Sequence, residues 1–84
     1  MMRVILRPAA QRDLRQLSPE VYKRVIADIR ALAHDPRPLG CRLLRDQVSR
    51  TWRVRVGDWR ILYDIDDAAG VVRVLHVLHR SKAY

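Results

Sequence analysis

A run of alternating residues in the second half of the chain decides the fold: residues 52–65 read WRVRVGDWRILYDI. On both sides of Gly57 and Asp58, apolar residues take every second position, and this period of two indicates two half-buried β-strands. Glycine in the first place and aspartate in the second suit a two-residue type II′ turn. The sequence therefore predicts a β-hairpin with Gly57 and Asp58 at its tip.

The turn also fixes which residues face each other across the hairpin. Arg55 then lies opposite Arg60, and every apolar pair falls on one face, which the helices should cover. The pairs on this apolar face are Val56 with Trp59, Val54 with Ile61, and Trp52 with Tyr63. The other face receives Arg53, Arg55 and Arg60.

These arginines on one face of a small sheet have two interpretations. Like charges directly opposite each other destabilise a sheet, so an anion is expected to sit between the guanidinium groups. The alternative is a solvated face of long basic side chains without a ligand. Asp64 shares this face and is expected to pair with Arg73 on the next strand, too far along to neutralise the arginines.

The residues before the hairpin predict a short strand and two helices. Residues 3–7 read as the strand, which ends at Pro8. Apolar residues then recur at helical spacing over residues 10–17 and again over 22–33. Between them, Ser-Pro-Glu supplies a cap, a proline for the first turn and an acid for the helix dipole. Two prolines stop the second helix at about Asp35.

The residues after the hairpin complete the predicted sheet. Residues 66–70 form a second turn, and residues 71–78 add a third strand. Residues 36–50 predict a loop with at most a short strand at 42–44. The order predicts an α+β fold in a single domain, residues 1–84: an N-terminal strand, an antiparallel two-helix hairpin and a three-stranded antiparallel meander, in one twisted, mostly antiparallel sheet.

The composition points to a polyanionic partner. Lys and Arg number 17 against nine Asp and Glu, for a formal net charge of +8. All these cations except Lys23 and Lys82 are arginine, which favours planar, bidentate recognition of phosphate. Such a charge predicts attraction to nucleic acid, the ribosome, an acidic membrane face or an acidic protein.

The cysteine count and the hydropathy pattern bear on location. Cys41 is the single cysteine, so no internal disulfide forms and a reducing compartment is the simplest home. The first residues carry no signal peptide, and no apolar stretch approaches the roughly 20 residues that span a bilayer. We therefore expect a cytoplasmic protein that does not bind a membrane.

The tail carries a further set of candidate residues. The third strand should deliver His79, Arg80 and Tyr84 to the same end of the sheet as the arginines. Arginine holds phosphate, histidine titrates near neutral pH and an aromatic ring stacks on a base, so the set suits RNA cleavage. His79 is a candidate proton carrier, with a structural role at the strand end as the alternative. For Tyr84 the alternative is a frayed end of the chain.

No metal or cofactor is expected. The histidines and Cys41 lack the spacing of zinc ligands. Three aspartates near the second turn, Asp64, Asp66 and Asp67, are more simply explained by turn chemistry.

Residues 52–67 and 77–80 resemble the RelE/ParE toxin superfamily, and the similarity extends over nearly the whole chain. The resemblance implies the RelE-like microbial RNase fold and the toxin of a type II toxin–antitoxin system. RelE-like members cut mRNA at the ribosomal A site through attack of the 2′-OH on the adjacent phosphate, without a metal. The implied partners are the 70S ribosome, mRNA and a cognate antitoxin, acidic or partly disordered, that wraps the toxin.

The resemblance also implies site residues. RelE-like sites use two basic residues on one strand, an arginine on the next, and an arginine and a tyrosine in the tail. With His79 added from the tail, the predicted catalytic residues are Arg55, Arg60, Arg80, Tyr84 and His79; the predicted RNA- or ribosome-binding residues are Arg53, Arg73 and Lys82. RelE itself often has lysines where this chain has Arg53 and Arg55. Because an arginine hardly exchanges a proton at neutral pH, these two residues are expected only to bind and neutralise phosphate.

Two other functions stay open. A non-enzymatic ParE-like toxin that inhibits DNA gyrase shares the fold and the basic strands, but has no need of Arg60, Arg80 and Tyr84 in one place. A plain nucleic-acid-binding module would show salt-sensitive binding without cleavage or growth arrest.

Overall fold

The structure is a computed structural model that describes residues 1–45 and 50–82. Within those residues, two helices and five strands follow in the order β1 (Arg3–Leu6), α1 (Pro8–Arg15), α2 (Pro19–Ala31), β2 (Arg42–Arg45), β3 (Arg50–Val56), β4 (Trp59–Asp66) and β5 (Val71–His79). The strands form one sheet in the order β1-β5-β4-β3-β2. Only β1 and β5 run parallel, and the other neighbours are antiparallel. The predicted α+β fold is confirmed.

The short strand that was expected at residues 42–44 exists and extends the sheet. It spans Arg42–Arg45 and pairs antiparallel with β3, so that Arg42 lies opposite Arg53. The meander therefore has four strands rather than three. The added strand, β2, shows little alternation of apolar and polar residues, which is why the sequence indicates it only weakly.

The second helix begins as predicted and ends earlier. The Ser18 hydroxyl accepts a hydrogen bond from the backbone N–H of Val21 at 3.4 Å, and Pro19 takes the first helical position. The helix ends at Ala31 instead of near Asp35. The next residues form a tighter turn, because the N–H groups of Leu32, Ala33 and His34 bond to carbonyls three residues back.

The β3–β4 hairpin has the predicted register. Trp52 lies opposite Tyr63, and Arg55 lies opposite Arg60. Gly57 has a φ of +59°, whereas Asp58, like every other non-glycine residue that the structure describes, has a negative φ. A type II′ turn requires this combination of a positive and then a negative φ.

The helices cover the apolar face of the sheet, as predicted. The core combines side chains from both helices and from β3, β4 and β5, among them Leu14, Ile29, Ile61 and Val74. Tyr63 lies at its centre and is fully buried. Its hydroxyl donates a hydrogen bond of 2.8 Å to the carbonyl oxygen of Pro36, and burial raises the pKa of the Tyr63 hydroxyl far above its ordinary value.

A β-bulge interrupts the pairing of β4 with β5. Leu62 pairs with His76, but its neighbour Tyr63 pairs with Val74, so Leu75 is the additional residue. Because side chains alternate along a strand, the additional residue reverses which side chains of β5 face the core beyond this point. Val74 faces the core before the bulge and Val77 faces it afterwards. Nothing in the sequence analysis predicted this reversal.

Candidate phosphate-binding site

The face opposite the helices collects arginines from three strands. Alternation places Arg53 and Arg55 of β3 and Arg60 of β4 there, and the pairing with Arg53 adds Arg42 of β2. These four residues are called the arginine face. The sequence marks Arg42 only through its register opposite Arg53, and that register is known only once β2 is recognised.

Arg53 lies within this group and is almost buried, with 6% of its surface exposed. Desolvation lowers the pKa of its guanidinium, and the charges of Arg55, Arg60 and Arg42 lower it further. Leu62 lies opposite Arg53 on the neighbouring strand, which explains how the aliphatic part of the arginine is covered. Arg53 is therefore a largely desolvated cation among three other arginines.

Arg60 is held in place by its own hairpin. Its Nη1 atom donates hydrogen bonds to the carbonyl oxygens of Gly57 and Trp59, each at 2.9 Å. The residue is only 7% exposed. Its Nε atom is buried and has no hydrogen-bond partner among the described residues. No carboxylate of those residues lies within ion-pair distance of it. Arg60 is thus an oriented cation with an unsatisfied donor.

Arg80 reaches the same turn from the other side. Its backbone N–H donates to the carbonyl oxygen of Asp58 at 2.7 Å, and its Nε lies 3.9 Å from a carboxylate oxygen of Asp58. The side chain remains 65% exposed. The bulge in β5 places Leu78 opposite Arg60, and Arg80 follows in the turn after the strand. The backbone of Arg80 thus lies at the hairpin tip, at the same end of the sheet as Arg55 and Arg60.

His79 is not part of this group. It pairs with Trp59 across the sheet, and the two rings meet edge to face with centroids 5.3 Å apart. Since Trp59 belongs to the apolar face, His79 lies on that face too. Its Nδ1 atom accepts from the backbone N–H of Ser81 at 3.3 Å and lies 3.0 Å from the Ser81 hydroxyl.

The remaining predicted residues lie in different surroundings. Arg73 forms an ion pair with Asp64, with Nε and a carboxylate oxygen 2.8 Å apart, as expected from the sequence. A second carboxylate, Asp66, lies 4.0 Å from the same guanidinium, so Arg73 is already neutralised. Lys82 is exposed in the turn after β5. Tyr84 lies outside the described residues.

The described residues give no sign of a metal site or a membrane span. No group of three or more potential metal ligands occurs in residues 1–45 and 50–82. Neither helix in that part of the chain is long and apolar enough to cross a membrane. The arginine face itself presents guanidinium groups, which are suited to binding a phosphate.

The sequence and the fold of this chain have known relatives. The model of the family described as "ParE toxin of type II toxin-antitoxin system, parDE" matches residues 4–84. The chain belongs to the RelE/ParE toxin superfamily. Among characterised members, it is 36% identical over 76 residues to Toxin RelG of Mycobacterium tuberculosis, covering 89% of this chain and 86% of that toxin. Toxin RelE of the same organism is 30% identical over 82 residues, covering 96% of this chain and 84% of the relative.

Solved structures of superfamily members share the fold. The toxin in the toxin–antitoxin complex RelBE2 of Mycobacterium tuberculosis superposes with a TM-score of 0.83 at 32% identity, covering 94% of this chain and 98% of that one. The isolated RelE toxin of E. coli, at 18% identity, has a TM-score of 0.79 over 94% of this chain and 84% of its own. The chain is thus the toxin of a type II toxin–antitoxin system, and it has the RelE fold.

Proposed function

We propose that this toxin is a ribosome-dependent endoribonuclease that cuts mRNA at the A site. The observation that carries the proposal is Arg60, a guanidinium fixed by two backbone carbonyls, almost buried, and left with an unsatisfied Nε. A buried donor without a partner typically costs about 1–3 kcal/mol, and more when it is charged. A phosphate at the arginine face would reduce the repulsion among the neighbouring arginines, and it would reach the Nε donor of Arg60 once the side chain turns outward.

In the proposed reaction RNA supplies its own nucleophile. The 2′-OH attacks the adjacent phosphorus in line, the bond from phosphorus to the 5′ oxygen breaks, and a 2′,3′-cyclic phosphate and a 5′-OH result. Arg55, Arg60 and Arg80 hold the phosphate and stabilise the additional negative charge of the transition state. A preorganised contact of this kind is typically worth about 3–4 kcal/mol. Tyr84 stacks on or orients a base, and no metal takes part.

The proton transfers explain why the ribosome is needed. Arginine does not exchange protons near neutral pH, and His79 faces away from Arg60. The 2′-OH proton and the proton for the 5′ oxygen therefore exchange with solvent in the ribosomal A site, where the ribosome aligns the substrate. The isolated toxin is accordingly a poor enzyme, and rapid cleavage of naked RNA by the purified protein would contradict this part of the proposal.

A cognate antitoxin is the second proposed partner. The neighbour from Mycobacterium tuberculosis was solved as a toxin–antitoxin complex. We expect an acidic or partly disordered antitoxin in the cytoplasm, which covers the arginine face and thereby blocks access of RNA to Arg60. The net charge of +8 favours such a partner.

The test is brief expression in a bacterial host followed by mapping of mRNA 5′ ends. Wild type and Arg15→Ala, an exposed arginine at the end of α1, should both arrest growth and produce cuts inside translated codons. Arg60→Ala and Arg80→Ala should lose the cuts by at least about a hundredfold. Thermal unfolding of each purified variant establishes that it is folded, with Arg60→Lys as a second variant if the alanine form is not.

Each other outcome points to a different function. Growth arrest with intact messages and altered DNA supercoiling would overturn the RNase in favour of gyrase inhibition. Salt-sensitive RNA binding without cleavage or arrest would leave a plain binding module.

A further inference from the structure

The turn at the tip of the β3–β4 hairpin receives arginines from three separate elements. Arg60 of β4 donates to the Gly57 carbonyl, and Arg80, after β5, bonds to Asp58. The third is Arg24 of α2, which the sequence analysis did not single out. These three residues are called the turn cluster.

The guanidinium group of Arg24 lies against the open side of Gly57. A Cβ atom built on this glycine would be 3.3 Å from Nη2 of Arg24, 3.4 Å from Nη1 and 3.7 Å from Cζ. Because all three distances are below 4 Å, the whole guanidinium group of Arg24, and not a single nitrogen atom, covers this glycine. Arg24 therefore approaches the turn from the helix side, while Arg60 holds its carbonyl.

The helix offers Arg24 other partners that it does not take. Glu20 and Asp28 lie four residues before and after it on α2, the spacing at which opposite charges pair on a helix. Neither forms an ion pair with Arg24, and no other carboxylate of the described residues does. The direction of this exposed side chain is therefore not explained by a carboxylate.

The charge at the turn is out of balance. Asp58 is the acidic residue of the turn; it is 68% exposed and 3.9 Å from Arg80. Three guanidinium groups around one solvated carboxylate leave an excess of positive charge. Since the direct neighbours do not neutralise it, an anion that arrives from outside accounts for the arrangement.

We propose that Arg24 binds a backbone phosphate of the RNA next to the scissile one, so that the strand passes over the turn from the arginine face to the helix side. The inference rests on the proposed RNase function and adds a substrate contact from α2. Arg24 binds and orients the strand; it does not touch the scissile phosphate, which Arg55, Arg60 and Arg80 hold. Its loss therefore weakens binding much more than it slows cleavage once the substrate is bound.

The experiment compares Arg24→Ala and Arg24→Lys with Lys23→Ala, which removes the same charge from the adjacent exposed position of α2. Binding is measured on 70S ribosomes programmed with an mRNA that carries a 2′-deoxy nucleotide at the cleavage position, over a range of salt concentrations. Single-turnover cleavage of the matching all-RNA message is measured at saturating toxin.

Arg24→Ala should bind about tenfold more weakly and lower the slope of log affinity against log salt by about 0.7–1. Its cleavage rate at saturation should stay within about threefold of wild type. Arg24→Lys should recover part of the affinity, because a lysine keeps the charge but not the planar group. Lys23→Ala should stay within about twofold of wild type in affinity and show the wild-type slope.

Two outcomes overturn the inference. If Arg24→Ala and Lys23→Ala behave alike while Arg60→Ala abolishes cleavage, the RNase function stands and the role of Arg24 is wrong. If Arg24→Ala slows cleavage at saturation as strongly as Arg60→Ala does, Arg24 acts on the scissile phosphate and the neighbouring-phosphate assignment is wrong. Failure of the proposed function itself is recognisable separately, because wild type would then leave ribosome-bound message uncut.

Discussion

A carboxylate oxygen of Asp13, on α1, accepts a hydrogen bond of 2.9 Å from the backbone N–H of Val77, immediately after the β-bulge in β5. The same oxygen lies 3.1 Å from Nδ1 of His76. Asp13 therefore satisfies the backbone at the point where the ladder is interrupted. The bulge decides which side chains at the end of β5 face the core, so we expect Asp13 to support the position of the segment that leads to Arg80.

Replacing Asp13 should reduce the cleavage rate by more than the accompanying loss of folding stability accounts for. Asp13→Ala removes the acceptor at the bulge and should lower the free energy of unfolding by about 1–3 kcal/mol. It should also let β5 adopt a regular register, so that cleavage falls by more than about tenfold at temperatures where the variant is fully folded. Urea unfolding and single-turnover cleavage on programmed ribosomes measure the two effects. Asp28→Ala on α2 is the control, and equal cleavage by both variants would show that the bulge forms without Asp13.

His79 should prove to be a positioning residue. His79→Asn keeps an acceptor for the Ser81 N–H, so cleavage should remain within about threefold of wild type with an unchanged pH profile. General acid–base catalysis typically contributes about 10²–10⁴-fold. A loss of that size in His79→Asn, together with a flattened dependence of the cleavage rate on pH, would instead make His79 the proton carrier.

Gly57 should matter for substrate binding and Gly70 should not, although both have similar backbone angles. Their φ values are +59° and +68°, and a Cβ would meet Arg24 at Gly57 but nothing within 4 Å at Gly70. Either alanine should cost about 1–2 kcal/mol of stability, because the left-handed region disfavours a side chain. Only Gly57→Ala should raise the toxin concentration for half-maximal cleavage, since it displaces Arg24. Equal effects on cleavage would mean that the contact with Arg24 has no bearing on binding.

Tyr63 should make the fold sensitive to alkali. Burial raises the pKa of its hydroxyl in the folded chain, so the stabilising effect is fully present below the unfolded pKa of about 10 and is lost as the pH rises above it. Over that window the free energy of unfolding should fall by up to about 1.4 kcal/mol for each pH unit. Tyr63→Phe should be less stable at pH 8, because it loses the hydrogen bond to Pro36, yet show a weaker decline. Urea unfolding at several pH values measures this, and parallel declines would contradict the assignment.

The β3–β4 hairpin could be predicted in full from the sequence, because its turn residues determined the strand pairing and the face of each side chain. Gly57 and Asp58 fixed the register, and the register fixed the two faces, down to Arg55 opposite Arg60. The starts of both helices followed from local caps and prolines, whereas α2 ends at Ala31 and not near Asp35 as the prolines predicted. These features are encoded by neighbouring residues, so the sequence alone contains them.

The parts that could not be predicted depend on distant contacts. The bulge is stabilised by Asp13, which lies 64 positions before the residue whose backbone it binds. It sets which side chains at the end of β5 face the core, so that His79 meets Trp59 and Leu78 lies opposite Arg60. Arg42 and Arg24 reach the site only through the pairing of β2 with β3 and the packing of α2 on the turn. No local pattern marks either residue as functional.

The order of the strands has a consequence for the synthesis of the toxin. β5 lies between β1 and β4 in the sheet, although the ribosome makes it after every other described strand. While β5 is still inside the exit tunnel, β1 has no strand to pair with, and Arg80 has not reached the turn. The nascent chain can therefore pair β2, β3 and β4 and their arginines before β5 emerges, whereas the contact of Arg80 with the turn forms last. The finished sheet, with Arg80 at the turn beside Arg60, is therefore reached only with the last described strand.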